Sequence, residues 1–301
     1  MTDQEVVKHN MTEQTTRKIA VVTGASSGIG YAITNELARN GYKVYACARR
    51  TGPMETLAKE FESGVIIPYC LDVTKDSEIL ELKRTLASEL PYRKLDLLYN
   101  NAGQSCTFPA LDVTNDMIEQ CFKVNVFGHA NMCRELAQFV INAKGTIVFT
   151  GSIAGIGVFP FSSIYAASKA AIHQYARDLH LELKPLGVRV INAITGGVST
   201  DIADKRPLPA TSIYNFKEGI EVFQNRQLMA KKNSPMSAEI YAKKLVQDIL
   251  SDNDPVDVYR GSFATTMSWV VLLVPYWILE FFVSKKFKLN KVYNVLKQRK
   301  E

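Results

Sequence analysis

Tyr165 and Lys169 bound the pentapeptide Tyr165-Ala166-Ala167-Ser168-Lys169. Residues four apart lie one turn apart on a helix and project from one face. An ammonium held near a phenol favours the phenolate and lowers the tyrosine pKa. A tyrosine tuned in this way passes a proton to or from an alcohol or ketone oxygen near neutral pH. The pair alone is a common pattern. Its order in the chain singles it out: Ser152 lies thirteen residues upstream, and Thr23-Gly24-Ala25-Ser26-Ser27-Gly28-Ile29-Gly30 lies near the N-terminus.

That glycine run falls between a short apolar run, residues 18–23, and a helical stretch, residues 29–40. Placed so, it reads as a nucleotide-binding turn. Glycines let the backbone approach a pyrophosphate, and the helix N-terminus supplies N–H groups and a positive dipole end. Gly24, Ser26, Ser27, Gly28, Ile29 and Gly30 are therefore the candidate cofactor loop. The second apolar run ends in Ala46-Cys47-Ala48-Arg49-Arg50. A dinucleotide lacking the 2′-phosphate is usually met here by an acid, and one carrying it by arginine. Two arginines and no acid favour NADPH; the alternative is a pair of solvated surface arginines. Asp72, after the third run, is placed either to meet the adenine amine or to cap the next helix. Asn100-Asn101-Ala102-Gly103 ends the fourth run. Its small residues leave room for an adenosine ribose, although they also suit a plain turn.

Asn125 is a polar residue in an apolar helical stretch, and a buried amide there needs partners. It holds either a water in a proton relay or the backbone of a helix bend. Gly24-Ala25-Ser26-Ser27-Gly28 also fits G-x-S-x-G, the nucleophile elbow of lipases. That reading is discounted because the cofactor turn already uses these residues. His129, His173 and His180 fall in helices, as surface or packing histidines with no indicated triad.

The elements that must position these residues follow from the hydrophobic pattern. Short apolar runs recur at 43–48, 65–71, 95–100, 145–150, 188–195 and 257–260, separated by helical stretches at 54–61, 75–90, 115–143, 164–186 and 238–251. Strands alternating with helices imply a parallel sheet with helices on both faces, a doubly wound α/β domain. Residues 197–236 are rich in charge, Pro and Thr and weakly periodic, as in a lid over a site. At 301 residues, 47% hydrophobic and 22% charged, the chain is an ordinary globular one. Its five cysteines are odd in number and show no C-x-x-C spacing, which argues against a disulfide framework and against a metal site. Residues 1–16 are polar, read as a disordered lead, and lack the apolar core of a signal peptide.

Residues 284–301 hold seven Lys/Arg and one acid, which accounts for the whole net charge of +6. The remaining chain is balanced, which excludes a nucleic-acid-binding body. Ahead of this basic tail runs Trp269-Val270-Val271-Leu272-Leu273-Val274-Pro275-Tyr276-Trp277-Ile278-Leu279, continued after Glu280 by Phe281-Phe282-Val283. The sheet is complete by about Gly261, so the core does not require this segment. Fifteen helical residues reach about 22 Å, short of the ~30 Å hydrocarbon core. Interfacial aromatics and a basic tail suit a membrane surface. The competing reading is a helix over the substrate pocket or at a dimer contact.

Taken together, T-G-x-x-x-G-x-G, N-N-A-G, an Asn-containing helix, Ser and Y-x-x-x-K resemble the short-chain dehydrogenase/reductase family from about Arg17 to the end. The resemblance implies a single Rossmann-type domain over 17–262 with about seven parallel strands, followed by a hydrophobic appendage at 263–301. It implies Asn125, Ser152, Tyr165 and Lys169 as the catalytic four. Ser152 and Tyr165 would bind the carbonyl oxygen, Tyr165 and Lys169 would also touch the cofactor, and Asn125 would order a relay water. NADPH would further be met by Asn101, Ala102, Gly103, Val198 and Thr200. One departure stands out: Thr195-Gly196-Gly197 replaces the usual Pro-Gly after the sixth strand.

Within the family, the unbroken segment 96–110, Asp201-Ile202-Ala203-Asp204-Lys205-Arg206-Pro207-Leu208-Pro209 and Val274-Pro275-Tyr276-Trp277 are similar to those of fungal reductases acting on acylated dihydroxyacetone phosphate. This implies a lipid-like ketone substrate, with Lys205 and Arg206 meeting its phosphate. It also implies attachment to the endoplasmic reticulum membrane and lipid droplet surface, the catalytic domain facing the cytosol, and self-association as a further option. A ketosteroid or retinal is the alternative substrate.

Overall fold

A computed structural model describes residues 17–298. Seven strands form one parallel sheet: β1 Ile19–Thr23, β2 Lys43–Ala48, β3 Ile66–Cys70, β4 Leu97–Asn100, β5 Thr146–Thr150, β6 Arg189–Thr195 and β7 Asp257–Arg260. Their order is β3-β2-β1-β4-β5-β6-β7. Strands β1, β2, β4, β5 and β6 read as near-continuous apolar runs because both of their faces are covered, whereas the edge strands β3 and β7 are less buried. In β1, Ala20 and Val22 join one core, with Ile33 and Leu37 of helix α1 (Gly28–Arg39). Ile19 and Val21 join the other, with Leu82 and Leu86 of α3 (Asp76–Glu89). This is the two-residue alternation of a strand dividing its side chains between two layers. A short helix, α2 (Gly52–Ala58), links β2 to β3.

The expected seven-stranded doubly wound domain is present. The strand order reverses between β1 and β4, so the loops after Thr23 and Asn100 open side by side, where such sheets hold ligands. The stretch 115–143 is not one helix. It divides into α4 (Asn115–Phe122), a wide π-type turn (Lys123–Phe127) and α5 (Gly128–Ala143). Asn125, at the centre of that turn, is bonded to neighbouring chain, which holds the widened register. At Gly128 an added Cβ would come within 2.9 Å of Val73, so α5 passes against the loop after β3 only as glycine.

Helix α6 (Ser163–Leu183) precedes β6. The segment 197–236 carries α7 (Lys217–Gln227) and the short α8 (Met229–Lys232). Helix α9 (Ala238–Leu250) then packs against α1 through Tyr241, Leu245 and Ile249.

The appendage folds as α10 (Ala264–Leu273), α11 (Tyr276–Lys286) and α12 (Leu289–Gln298). Pro275 stands at the break between the first two. Among the described residues no helix is long and apolar enough to cross a membrane. Leu289 and Val292 of α12 are buried against Val222 of α7, in a small cluster of their own. The appendage is thus tied to the region expected as a lid. The expected lead at 1–16 and the last three residues of the basic tail lie outside the described residues.

Candidate active site

Tyr165 lies in the first turn of α6, and Lys169 follows one turn later. The Lys169 ammonium donates to the Thr150 carbonyl at 2.8 Å and stands 5.9 Å from the centroid of the Tyr165 ring. Burial pulls the lysine down to about 8. Burial also raises the Tyr165 phenol; the Ser152 hydroxyl and the charge of Arg226 pull it down, and the Cys121 thiol adds to the rise. The net shift is upward. The expected depression by Lys169 is not found, because that ammonium is turned to Thr150 and desolvation outweighs the opposing effects. The cation that bears on the phenol is Arg226.

Ser152 follows β5. Its backbone N–H donates to Nε2 of His173 at 3.0 Å, and its hydroxyl accepts from the Ala154 N–H at 3.1 Å. His173 sits one turn after Lys169 on α6, and burial lowers it to about 4, so its ring is neutral and free to accept. From the sequence it reads as a surface or packing histidine. Asn125 accepts from the Gln104 N–H at 2.9 Å and donates to the Gln104 carbonyl at 3.1 Å and to Ser168 Oγ at 3.0 Å. Its side chain therefore anchors the strand-end loop to α6. It also lies near Lys169: a Cβ on Gly103 would be 3.5 Å from Asn125 Oδ1 and 3.9 Å from Lys169 Nζ.

A cavity of about 770 Å³ runs from the glycine loop past Ser152, Tyr165 and Lys169 to the appendage. At one end Gly24 has φ +67° and an added Cβ would meet Ala102 Cα at 2.9 Å. Only glycine joins these two loops so closely. Asn101 donates to the Thr23 carbonyl at 3.0 Å and accepts from Thr150 Oγ1 at 3.0 Å, fixing β1, β4 and β5 in register at the cavity floor. Ser26, Ser27, Gly28 and Ile29 line the same end, as do Ala102, Gly103, Val198 and Thr200. Gly30 lies behind the loop, packed on Gly24 and Asn101. Gly196 could not carry a side chain, since a Cβ there would collide with the Ser262 carbonyl. This accounts for the Gly-Gly departure.

The residues present fit NADPH. Ser27 precedes α1 without a side-chain capping bond, which leaves the first N–H groups of the helix for a pyrophosphate. Arg49 and Arg50 are exposed on the cavity wall. Asp72 lines it as well. The Asp72 carboxylate accepts from the Thr74 N–H and hydroxyl at 3.0 and 2.8 Å, so it does build the turn before α3. Burial raises Asp72, but these bonds and the Arg49 charge lower it on balance.

Lys205 and Arg206 are placed otherwise than the sequence suggests. They border a shallow neighbouring depression with Gly103 to Ser105, outside the main cavity. Arg206 is ion-paired with Asp204. A further basic side chain that lines the main cavity is Arg226 of α7. It shares a buried helix face with Val222 and Phe223, and an arginine at that apolar spacing is the signal that the weak periodicity of 197–236 obscured. From the appendage, Thr266, Met267, Val270 and Lys286 line the far end.

Among the described residues no histidine bonds Ser26. His129 pairs with the Ala102 carbonyl, His173 with Ser152 and His180 with the Val190 carbonyl. Among the described residues the lipase elbow thus has no histidine base.

The family model for short chain dehydrogenase matches residues 18–209. The chain is 68% identical over 285 residues to the NADPH-dependent 1-acyldihydroxyacetone phosphate reductase of Saccharomyces cerevisiae, covering 95% of this chain and 96% of that one. Among solved structures it is similar to a short-chain dehydrogenase from Streptomyces avermitilis, with TM-score 0.76, 25% identity and coverage of 94% and 99%. It is also similar to the closed form of a serine dehydrogenase complexed with NADP+, with TM-score 0.66, 25% identity and coverage of 80% and 92%. A helix carrying Tyr165 and Lys169 beside Ser152, at the switch point of a seven-stranded parallel sheet, accords with these matches, and the chain belongs to the short-chain dehydrogenase family.

Proposed function

We propose that the protein reduces the ketone of 1-acyldihydroxyacetone phosphate with NADPH, forming 1-acylglycerol 3-phosphate. The observation that carries this reading is the 68% identity, over 95% of the chain, to a reductase of that name. Bound NADPH supplies the hydride that the carbonyl carbon receives. Ser152 and Tyr165 hold the carbonyl oxygen as negative charge develops on it. Tyr165, kept protonated by its raised pKa, gives its proton to that oxygen as the C–H bond forms. Lys169 holds its charge beside the phenol, and Asn125 keeps the Gln104 segment in place against α6.

The test is a panel of ketones offered to the purified protein, with NADPH oxidation as the readout. Acylated dihydroxyacetone phosphate is expected to exceed a ketosteroid and retinal in kcat/KM by at least a hundredfold. A preference for either of the other two overturns the reading.

We further propose that α10 and α11 rest on a lipid surface, that of the endoplasmic reticulum and of lipid droplets, with the catalytic domain in the cytosol. Trp269, Leu272, Leu273, Tyr276, Trp277, Phe281 and Phe282 are all exposed on these two helices. An apolar patch of this kind marks an interaction surface, and the basic residues that follow favour an anionic lipid over a second copy of the chain. The other face of α10 lines the cavity, so an acylated ketone would enter from the layer that dissolves it. Sedimentation with anionic vesicles tests this; a dimer in their absence that excludes vesicle binding would assign the patch to self-association.

A further inference from the structure

We infer that Arg226 is the residue that reads the phosphate of the substrate, an inference that rests on the ketose phosphate reading above. Arg226 is only 8% exposed and lines the main cavity. Its Nη2 donates to Ser162 Oγ at 2.6 Å, and its guanidinium stands 5.5 Å from the centroid of the Phe159 ring. These contacts fix the plane of the guanidinium without neutralising it. Among the described residues it makes no ion pair with a carboxylate, and its buried Nε has no hydrogen-bond partner.

A buried charge without a partner is costly, and proteins keep one where a ligand supplies the counter-charge. Burial lowers the Arg226 pKa to about 10, and the one group acting against that is the Tyr165 phenol. Ser162, which accepts from Arg226 Nη2, caps the helix whose first turn holds Tyr165, so the cation lies on the Tyr165 side of the cavity, whereas Arg49 and Arg50 follow β2. In the proposed substrate one methylene and one ester oxygen separate the ketone carbon from phosphorus. A phosphate so close to the carbonyl must sit near Tyr165 when the carbonyl oxygen does. A guanidinium is suited to it, because its fork binds phosphate oxygens in pairs.

The test compares kcat/KM for 1-acyldihydroxyacetone phosphate with that for the phosphate-free 1-acyldihydroxyacetone, in full-length wild type, Arg226→Gln and Arg226→Lys, together with the Kd for NADPH. In wild type the phosphorylated ketone should be preferred by at least a hundredfold. In Arg226→Gln that ratio should fall at least thirtyfold, and in Arg226→Lys about tenfold, with NADPH affinity unchanged in both. A purely structural role for Arg226 would lower both substrates together and leave the ratio intact, which overturns the inference. An intact ratio with weakened NADPH binding assigns the arginine to a cofactor phosphate and overturns it equally. If Arg226→Gln does not fold, Arg226→Lys, which keeps charge and bulk, decides by the same ratio. A wild-type ratio near one instead removes the ketose phosphate reading itself.

Discussion

Nε2 of His173 accepts the backbone N–H of Ser152 at 3.0 Å, so a neutral imidazole holds the strand end that presents the Ser152 hydroxyl to the cavity. Burial depresses His173 to about 4 and, with help from the nearby Lys169 charge, His129 to about 3, from an ordinary value of 6.5. The unfolded chain binds protons on these residues below about pH 6.5 while the folded chain does not. Stability should therefore be unaffected by them above that pH and fall as pH drops through it. Each histidine contributes a slope approaching about 1.4 kcal/mol per pH unit. Denaturant unfolding at pH 7, 6 and 5 should show the decline before ordinary carboxylates titrate. His173→Gln, whose amide oxygen can accept the same N–H, should roughly halve the slope; an unchanged slope would refute this assignment.

Tyr165→Phe should lower kcat by about three orders of magnitude, within the range of a lost general acid, while NADPH binds with near-normal affinity. Near-normal turnover would remove Tyr165 from the reaction. Because the phenol is raised and Lys169 is lowered to about 8, the lysine is the group whose charge is lost first on the alkaline side. The sign is that of a cation lost on deprotonation. A pH profile of kcat/KM in the direction of ketone reduction should be level near neutrality and fall above about pH 8.

Much of this site was legible before the fold. Tyr165 and Lys169 declare themselves by spacing, and the glycine run by its place between a strand and a helix, because local geometry alone sets both patterns. The break at Lys123–Phe127 was legible only as the helix bend that is one of two readings of Asn125, not as a π-type turn. It depends on bonds from Asn125 to Gln104 and Ser168, residues distant in the chain. Arg226 and Lys205-Arg206 show the same limit in reverse. The adjacent basic pair attracts attention in the sequence, yet Asp204 pairs with Arg206, whereas the isolated arginine on the apolar face of α7 reaches the cavity.

Arg49→Asp should raise the Kd for NADPH at least tenfold and improve NADH relative to it, as an acid meets the ribose hydroxyl of the unphosphorylated cofactor. Fluorescence titration of both cofactors measures this. An unchanged preference would show that the 2′-phosphate is read elsewhere.

The appendage makes one contact within the fold and, in the proposed reading, a second with lipid, and separate substitutions can divide the two. Val292 is buried against Val222, on the helix that carries Arg226, whereas Trp277 and Phe281 are exposed. Val292→Asp places a carboxylate in that apolar cluster and should loosen α7, at a cost of a few kcal/mol to the local fold. It should raise KM for the acylated ketone severalfold and leave vesicle sedimentation intact. Trp277→Ser with Phe281→Ser should do the reverse, reducing sedimentation with anionic vesicles at least tenfold while turnover of a short-chain, water-soluble acyl ketone is kept. Truncation after Gly261 removes both contacts and should lose both properties. If the double serine variant still sediments like wild type, the lipid contact lies outside α11 and the proposed orientation on the surface is wrong.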